Sequence, residues 1–349
     1  MKKRFIIDGR FLTSMSTGVD RYAYQIIREL DKYMTGVDIV LYAPSTVRKE
    51  VVEGLQLKNV RYIQSKFATA WTQGVFALKA RSSKRIPINL CNEVSVLAPR
   101  GITALHDVCY AEDNDFFPAD EKRWFLKIYR RIRNKCRRII TVSDFSRERI
   151  EKLLRIKGKK ITVAGNGWQH LEKIEVIPDI LDFYEGLSDG NFYFNLGSAN
   201  ANKNIQWVLD NAEYMQSIGS ESKYVVAGKD LDKKYDFSKY SNVEYIGYAD
   251  DVTIKSLMSK CKAFLFPSFY EGFGIPPLEA ASVGANLIVS DRASLPEICM
   301  DCANYIDPTE PKINLDELCE RKTAPKSKML EKYSWDKSAK IIADLICQL

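Results

Sequence analysis

Two glutamates and one lysine stand out as residues whose type and spacing could do chemistry. Glu271 and Glu279 bracket the run Gly272-Phe-Gly-Ile-Pro-Pro-Leu278, which follows the apolar stretch Ala263 to Phe266; Leu278 to Val283 reads as a helix, with Glu279 in its first turn, stopped by Gly284. Strand, glycine loop, helix is the local geometry that turns backbone N–H groups toward an anion. Pro276 and Pro277 suit the start of the helix, where a missing N–H costs little. Carboxylates at the two ends of such a loop can accept hydrogen bonds from sugar or ribose hydroxyls while the amides between them face phosphate. On spacing alone the plainer alternative stays open, a βα turn with one solvated and one helix-starting glutamate. Lys203, after the strand Phe192 to Leu196 and before a helix from Ile205, stands at a similar junction. There an ammonium group suits a diphosphate, although a surface lysine is the ordinary reading.

These segments must be carried by a regular framework. Short apolar runs recur at Arg4 to Asp8, Asp38 to Tyr42, Val60 to Ile63, Ile86 to Leu90, Ile102 to Leu105, Ile139 to Val142 and Ile161 to Val163, with helical patterns between most of them. A second series follows at Phe192 to Leu196, Tyr224 to Ala227, Val243 to Ile246, Ala263 to Phe266 and Asn286 to Ser290. Alternation of this kind predicts parallel sheets covered on both faces. At 349 residues the chain has room for two such domains. Residues 171–190, with Pro178, Gly186, Ser188 and Gly190, read as the crossing between them. No Gly-x-Gly-x-x-Gly follows the first strand, which disfavours a dinucleotide-dependent dehydrogenase.

The residues go further than the spacing. Pro267-Ser-Phe-Tyr-Glu271-Gly-Phe-Gly-Ile-Pro-Pro-Leu-Glu279-Ala resembles, nearly residue for residue, the Glu-x7-Glu signature of GT-B retaining glycosyltransferases of family 4, the glycosyl transferases group 1. Ser16-Thr17-Gly18-Val19-Asp20 reads as a helix start, with Thr17 as N-cap and Asp20 three residues on. Asp8-Gly9-Arg10 with Thr17-Gly18-Val19-Asp20-Arg21-Tyr22, Val142-Ser-Asp-Phe-Ser146, Asn166-Gly167 and Ser294-Leu-Pro-Glu297 are similar to other stretches of that family. The likeness covers almost the whole chain, most strongly residues 243–298 and most weakly 44–85. It implies an α/β protein of two Rossmann-like domains facing across a cleft. Residues 1–170 would take the acceptor, 171–330 would bind the nucleotide sugar, and in 331–349 the apolar helix Ala339 to Leu349 would cross back to the first domain.

The resemblance also implies roles. Glu271 would lie by the donor sugar and Glu279 by the ribose of a nucleotide-diphosphate sugar. The amides of Gly272, Phe273 and Gly274 would lie near sugar and diphosphate, and Gly18 near the diphosphate from the other domain. Lys203 matches the lysine of a Gly…Arg-Lys-Asn motif, but Asn202 replaces the arginine before it and Ser198 follows Gly197, so the phosphate site has fewer charges than in many relatives. His106, one of two histidines, ends the strand Ile102 to Leu105, where ligands collect in open α/β sheets. A lone histidine there is commonly structural; the resemblance implies a place against the donor sugar or the incoming acceptor hydroxyl. His170 receives no role. The activity implied is hexosyl transfer, mannosyl or rhamnosyl by family habit, with retention, to a glycan or lipid-linked acceptor in bacterial surface polysaccharide synthesis. No metal and no cofactor beyond the co-substrate is expected. Asp113-Asn-Asp115 and Asp230-Leu-Asp232 would matter in metal-dependent GT-A transferases, not here. The rival readings are another GT-B enzyme, such as a sugar-nucleotide epimerase or hydrolase, and a non-catalytic basic membrane-binding protein.

Charge is split between the halves. Residues 1–170 carry 33 Lys and Arg against 17 Asp and Glu, whereas the remainder carries 19 against 28. Such a split points to an anionic partner for the first half. The run Arg123 to Arg138 has eight basic and no acidic residues, with Trp124, Ile128, Ile132 and Cys136 at i, i+4 spacing beside Phe125 and Tyr129. It reads as a helix with a core face and a solvated face, or as a patch on an anionic membrane surface. No nucleic-acid recognition motif accompanies it. No run of about 18 apolar residues exists to span a membrane, and the N-terminal Met-Lys-Lys-Arg-Phe-Ile-Ile-Asp reads as a first strand, not a secretory signal. Together these suggest a cytoplasmic protein, peripheral on the membrane. Of eight cysteines only Cys299 and Cys302 form a Cys-x-x-Cys pair; a zinc or redox site and ordinary reduced thiols are the two readings.

Overall fold

The computed structural model describes residues 3–14, 17–184 and 186–349. Ser16 of the expected helix start, Met1 and Lys2 of the basic N-terminus, and Glu185 of the expected crossing lie outside them. The chain divides into two units. The first comprises residues 1–114, 118–166 and 334–349, and the second residues 115–117 and 167–333.

In the first unit, strands β1 (Arg4–Asp8), β2 (Asp38–Ala43), β3 (Arg61–Gln64), β4 (Ile86–Asn89), β5 (Gly101–Ala104), β6 (Cys136–Thr141) and β7 (Ile161–Val163) form a sheet in the order β3-β2-β1-β4-β5-β6-β7. Every pairing is parallel. The inner strands are short and apolar because both faces are covered, so they show near-continuous burial instead of alternation, whereas the edge strand β3 is largely exposed. The chain runs outward from β1 to β3, then returns to β1's other side to lay down β4. The topological switch point therefore lies between β1 and β4.

The helix Gly18–Leu30 covers this sheet. Thr17 Oγ1 accepts from the Asp20 amide while Asp20 reaches back to the Thr17 amide, the capping box that the Thr17/Asp20 spacing predicts. Tyr22, Ala23, Ile26, Ile27 and Leu30 form its buried stripe. The last helix, Trp335–Gln348, packs against it. It starts four residues before the expected Ala339, because Ser334 caps it by accepting from the Lys337 amide. Trp335 meets the edge of Tyr22 at 6.1 Å between ring centroids, and Tyr33 Oη donates to Asp336 Oδ2 at 2.9 Å.

The helix Ala119–Lys135 departs from expectation. It ends three residues before Arg138, because Cys136, Arg137 and Arg138 open strand β6 and take ladder hydrogen bonds from β5. Its buried residues are Tyr129 and Ile132, with Phe125 and Ile128 partly covered. Trp124, expected in the core stripe, is 56% exposed. Two adjacent faces of this helix carry apolar residues, and the core takes the 125/128/129/132 face.

In the second unit, β8 (Phe192–Leu196), β9 (Lys223–Ala227), β10 (Val243–Gly247), β11 (Ala263–Phe266), β12 (Leu287–Ser290) and β13 (Asn304–Ile306) form a parallel sheet in the order β10-β9-β8-β11-β12-β13. Its switch point lies between β8 and β11. The core under it gathers Tyr193, Trp207, Val208, Tyr224, Val226, Leu265 and Ile288. Among the described residues, no helix is long and apolar enough to cross a membrane.

Candidate functional site

The second unit's switch point brings together Lys203 and Glu271, which lie 68 residues apart in the chain. Lys203 ends a 3-10 turn, Ala201–Lys203, after β8. Glu271 lies in the loop after β11. Lys203 Nζ donates to Glu271 Oε1 at 2.7 Å, and both side chains are mostly covered. The ammonium group also stands 5.8 Å above the Phe266 ring. An ammonium has three donors, so holding one carboxylate leaves capacity for a second anion.

Asparagines stitch the two loops together. Asn202 Nδ2 donates to Tyr270 O at 3.1 Å, and the Phe269 amide donates to Asn202 O at 2.8 Å. Asn204, held at φ 56°, donates to Pro267 O and Pro308 O. The asparagine standing where relatives carry an arginine is thus a buried structural tie between loops. Ser294 Oγ donates to Glu271 O at 2.9 Å, and Phe273 packs edge-on against Tyr333 at 5.2 Å. Gly274 has φ +87°, and a Cβ there would sit 2.7 Å from Leu295 Cδ2. Only glycine meets both the left-handed backbone and the close approach.

The helix after this loop runs Ile275–Ser282, beginning three residues before the expected Leu278. Both prolines fall inside its first turn. They remove two of the amides that a helix N-terminus ordinarily offers, so donors for an anion must come from the loop and from Ile275. Glu279 correspondingly lies in the second turn, not the first. It is buried, and His170 Nε2 lies 2.8 Å from its Oε1. A carboxylate oxygen only accepts, so Nε2 carries the proton. His170 is the residue that sequence reasoning passed over. Its partner is 109 positions away, and no periodicity reports such a pair.

The first unit places His106 directly after β5. It is buried, its Nε2–H donates to Leu90 O at 3.0 Å, and its ring meets the edge of Tyr22 at 4.6 Å. Burial drives its pKa down to about 4, outweighing the raising effects of the Leu90 carbonyl and Asp20. It is therefore a neutral imidazole at pH 7, with Nδ1 the acceptor nitrogen. Gly18 is the first residue of the Gly18–Leu30 helix, directly after the Thr17 cap.

A cavity of ≈ 300 Å³ opens at this unit's switch point. Its wall includes Asp8 at the end of β1 and Asn89 at the end of β4, with Arg10, Glu93 and Asp20. Asp8 is buried and accepts from Trp71 Nε1 at 2.6 Å, the Arg10 amide at 3.0 Å and Asn89 Nδ2 at 3.3 Å. Burial pushes its pKa up to about 6 against those hydrogen bonds, with Glu93 adding to the rise. Thr72 Oγ1 lies 3.1 Å from Asp8 Oδ2 and 3.3 Å from Glu93 Oε2. One hydroxyl has one proton. Thr72 Oγ1 donates to one of these carboxylates at a time, so the hydroxyl links Asp8 and Glu93 along the wall. Arg10 closes the wall with an ion pair to Glu93 at 2.9 Å.

Cys299 and Cys302 are both buried free cysteines. Burial pushes both thiols up, and Cys302 Sγ donates to Pro325 O at 3.3 Å.

Two family models match the chain in tandem: Glycosyltransferase Family 4 over residues 16–169 and Glycosyl transferases group 1 over residues 180–312. The chain belongs to the family 4 glycosyltransferases of GT-B fold. It is 27% identical over 224 residues to O-antigen chain mannosyltransferase B of Escherichia coli, a match covering 60% of this chain and 58% of that protein. It is 26% identical over 242 residues to O-antigen chain mannosyltransferase RfbU of Salmonella typhimurium, covering 66% of this chain and 63% of that one. Each match thus spans less than two thirds of the relative. Among solved structures, Anabaena HepE in complex with UDP superposes with TM-score 0.72 at 14% identity, over 99% of this chain and 100% of that chain. WaaG, a glycosyltransferase involved in lipopolysaccharide biosynthesis, gives TM-score 0.62 at 17% identity, over 99% and 94%.

Proposed function

We propose that this chain transfers a hexosyl residue, mannosyl in the first instance, from a nucleotide-diphosphate sugar to a glycan or lipid-linked acceptor, in the assembly of a bacterial surface polysaccharide. The observation that carries the reading is the Lys203–Glu271 pair at the second unit's switch point. It places one ammonium and one carboxylate beside a loop whose amides can face phosphate. Family membership and the O-antigen mannosyltransferase relatives support the activity and the sugar. The UDP complex of the structural neighbour HepE supports a nucleotide donor.

Under this reading the second unit binds the donor. Lys203 and the amides of Gly272, Phe273, Gly274 and Ile275 take the developing charge of the departing diphosphate. Glu271 orients the sugar, and Glu279, fixed by His170, accepts from the ribose hydroxyls. Gly18 and His106 serve from the first unit, His106 as a neutral group orienting sugar or acceptor. Transfer retains the anomeric configuration and needs no metal. The leaving phosphate takes the acceptor's proton on the same face as attack. Titrating the protein with a panel of nucleotide sugars while following thermal stability tests donor binding. NMR of the product then reads the new linkage and its configuration, with and without EDTA. A stabilising nucleotide sugar and an acceptor-dependent product support the reading. Conversion of the donor without an acceptor would favour an epimerase or hydrolase.

The Ala119–Lys135 helix adds a location. Trp124 and Leu126 are exposed among Arg123, Lys127, Arg130 and Arg133. Each basic residue near an anionic membrane surface contributes about 1 kcal/mol, and an exposed indole suits the interface. A peripheral place on the cytoplasmic face follows. Co-flotation with phosphatidylglycerol vesicles, lost at high salt and absent with phosphatidylcholine, tests it.

A further inference from the structure

The first sheet carries a cluster of charge at the edge away from Asp8 and Asn89. Its strands all run parallel, so their first residues share one edge. Arg4 opens β1, Asp38 opens β2, Arg61 opens β3, and Arg85 directly precedes β4. We infer that Arg4 and Arg61 form a binding site for a phosphate monoester dianion, with Asp38 and Arg85 as its scaffold. The inference goes beyond the transferase reading and does not depend on it. Arg4 and Asp8 stand at opposite ends of β1, about 13 Å apart at the usual strand rise, so the site lies away from the carboxyl ends of the strands.

Asp38 accepts from all three guanidiniums: from Arg61 Nη2 at 2.7 Å, from Arg4 Nε at 2.8 Å, and from Arg85 Nη2 at 2.8 and 2.9 Å. A single arginine would neutralise this carboxylate, and Arg85 already does so. Its side chain is 5% exposed, and its Nη1 donates to Phe5 O and Asp38 O, which ties β1 to β2. Arg4 and Arg61 are surplus to that pair, with side chains 48% and 63% exposed. Each uses one N–H on Asp38 and keeps four, with no other acceptor among the described residues. A guanidinium already held on a fixed carboxylate loses less freedom when a ligand binds.

Charge decides the ligand. Three guanidiniums against one carboxylate leave two positive charges. Burial works to raise the Asp38 pKa, yet the guanidiniums bring it down to about 2, so the carboxylate stays ionised and its oxygens stay taken. Asp31, the carboxylate next to the start of β3, is buried and accepts from the amides of Lys58, Asn59 and Val60. A phosphate monoester carries about −1.5 to −2 charge at pH 7, and its oxygens match the guanidinium fork. It meets both surplus charges, whereas chloride or a phosphodiester meets one. The surroundings favour an anion, because exposed Lys84 and Arg100 precede β4 and β5 along the same edge. The second sheet differs there: before β11, Lys260 pairs with Asp189 and Lys262 with Asp316. The monoester can belong to a soluble phosphate or to a lipid headgroup.

Thermal unfolding of the intact protein at pH 7.5 and constant ionic strength tests the site, with inorganic phosphate, sulfate, dimethyl phosphate and chloride as probes. The two dianions should stabilise the protein and the two monoanions should not. Arg4→Gln and Arg61→Gln should each raise the phosphate concentration needed for half the effect about tenfold, the scale of losing one hydrogen bond to a charged group. Lys203→Ala, in the other unit, should keep the protection. Both arginine variants retain the Asp38–Arg85 pair, and their unfolding without added anion reports that they fold. A general salting effect of phosphate or sulfate would act on every variant equally. Flotation with vesicles then assigns the source. If the monoester sits on a lipid, phosphatidic acid in phosphatidylcholine should hold wild type more tightly than Arg61→Gln, with no such difference on phosphatidylglycerol. If it is soluble, the two proteins should float alike on both. Either outcome leaves the site standing. Three results would overturn the inference: phosphate protects no better than chloride, both arginine variants respond to phosphate like wild type, or Lys203→Ala alone abolishes the response.

Discussion

The two sheets repeat one topology and hold opposite chemistry at the same topological place. Between β1 and β4, Asp8 and Glu93 are clasped by neutral donors and the Arg10 guanidinium. Between β8 and β11, Lys203 reaches across to Glu271 beside a loop of amides. The same open end of a parallel sheet thus takes a different charge balance in each unit, set by a few residues at strand ends. The backbone supplies the place, and side chains within a few positions of each strand's end set the sign. The packing beneath also differs. The first unit borrows a terminal helix, Trp335–Gln348, to complete its cover, whereas the second is built from the continuous stretch 167–333 with a small insertion.

The largest expected effect exploits that difference. Trp335→Ala removes a buried indole from the first unit and should cost about 3–5 kcal/mol of its stability. Urea unfolding should split into two transitions, the lower one from the first unit, while nucleotide-sugar binding survives into the second. A single transition with binding lost alongside it would show that the units do not stand apart energetically.

Next in size is Lys203→Ala. Removing its ammonium from beside the loop should lower turnover about 10²–10³-fold, the scale for losing one charge-stabilising donor, measured as nucleoside diphosphate release. Glu93→Gln, on the other unit, should raise the acceptor KM and leave donor affinity alone. If both variants shift the same constant, the division of labour between switch points is wrong.

His106 gives a pH test. Its folded pKa of about 4 lies below the ordinary 6.5, so its contribution to stability is full above pH 6.5 and is lost as pH falls toward 4. Relative to His106→Gln, wild type should lose about 2 kcal/mol between pH 7.5 and pH 5. Asp8 is raised to about 6, so its contribution runs the other way, present below 3.8 and lost as pH rises through 6; it cancels in this comparison. A pH-independent difference would mean the imidazole charges freely in the fold.

The smallest effect concerns His170. His170→Ala removes one hydrogen bond that holds the Glu279 carboxylate and should weaken ribonucleotide binding about tenfold, the scale of one hydrogen bond to a charged group. A 2′-deoxynucleotide should bind wild type and variant alike. Equal losses for both nucleotides would make His170 a packing residue only.

The fold is legible in the sequence because both sheets are buried on two faces, and short apolar strands between helices have few other solutions. The 271–279 loop is legible for a related reason: φ > 0 at Gly274, a close approach to Leu295 and two prolines in one turn restrict the sequence severely. What is less legible has physical causes. The end of the Ala119–Lys135 helix is set by ladder bonds to β5, which no local signal announces, and the sequence offers no capping glycine there. Trp124 reads as core because two neighbouring faces of one helix are apolar. Glu279 reads as a first-turn residue because the prolines look like a boundary, whereas the helix already begins at Ile275. The cavity at Asp8, Asn89 and Glu93 is the hardest to see. Single polar residues at strand ends carry no periodicity, and only the strand order brings β1 beside β4.

Hydrogen exchange with and without a nucleoside diphosphate, read peptide by peptide, tests the central assignment most directly. Protection should concentrate in residues 197–206 and 268–280, extend to the segment around Gly18, and leave residues 89–94 unchanged. Protection centred on residues 8–20 and 89–94, with none around Lys203 and Glu271, would contradict it.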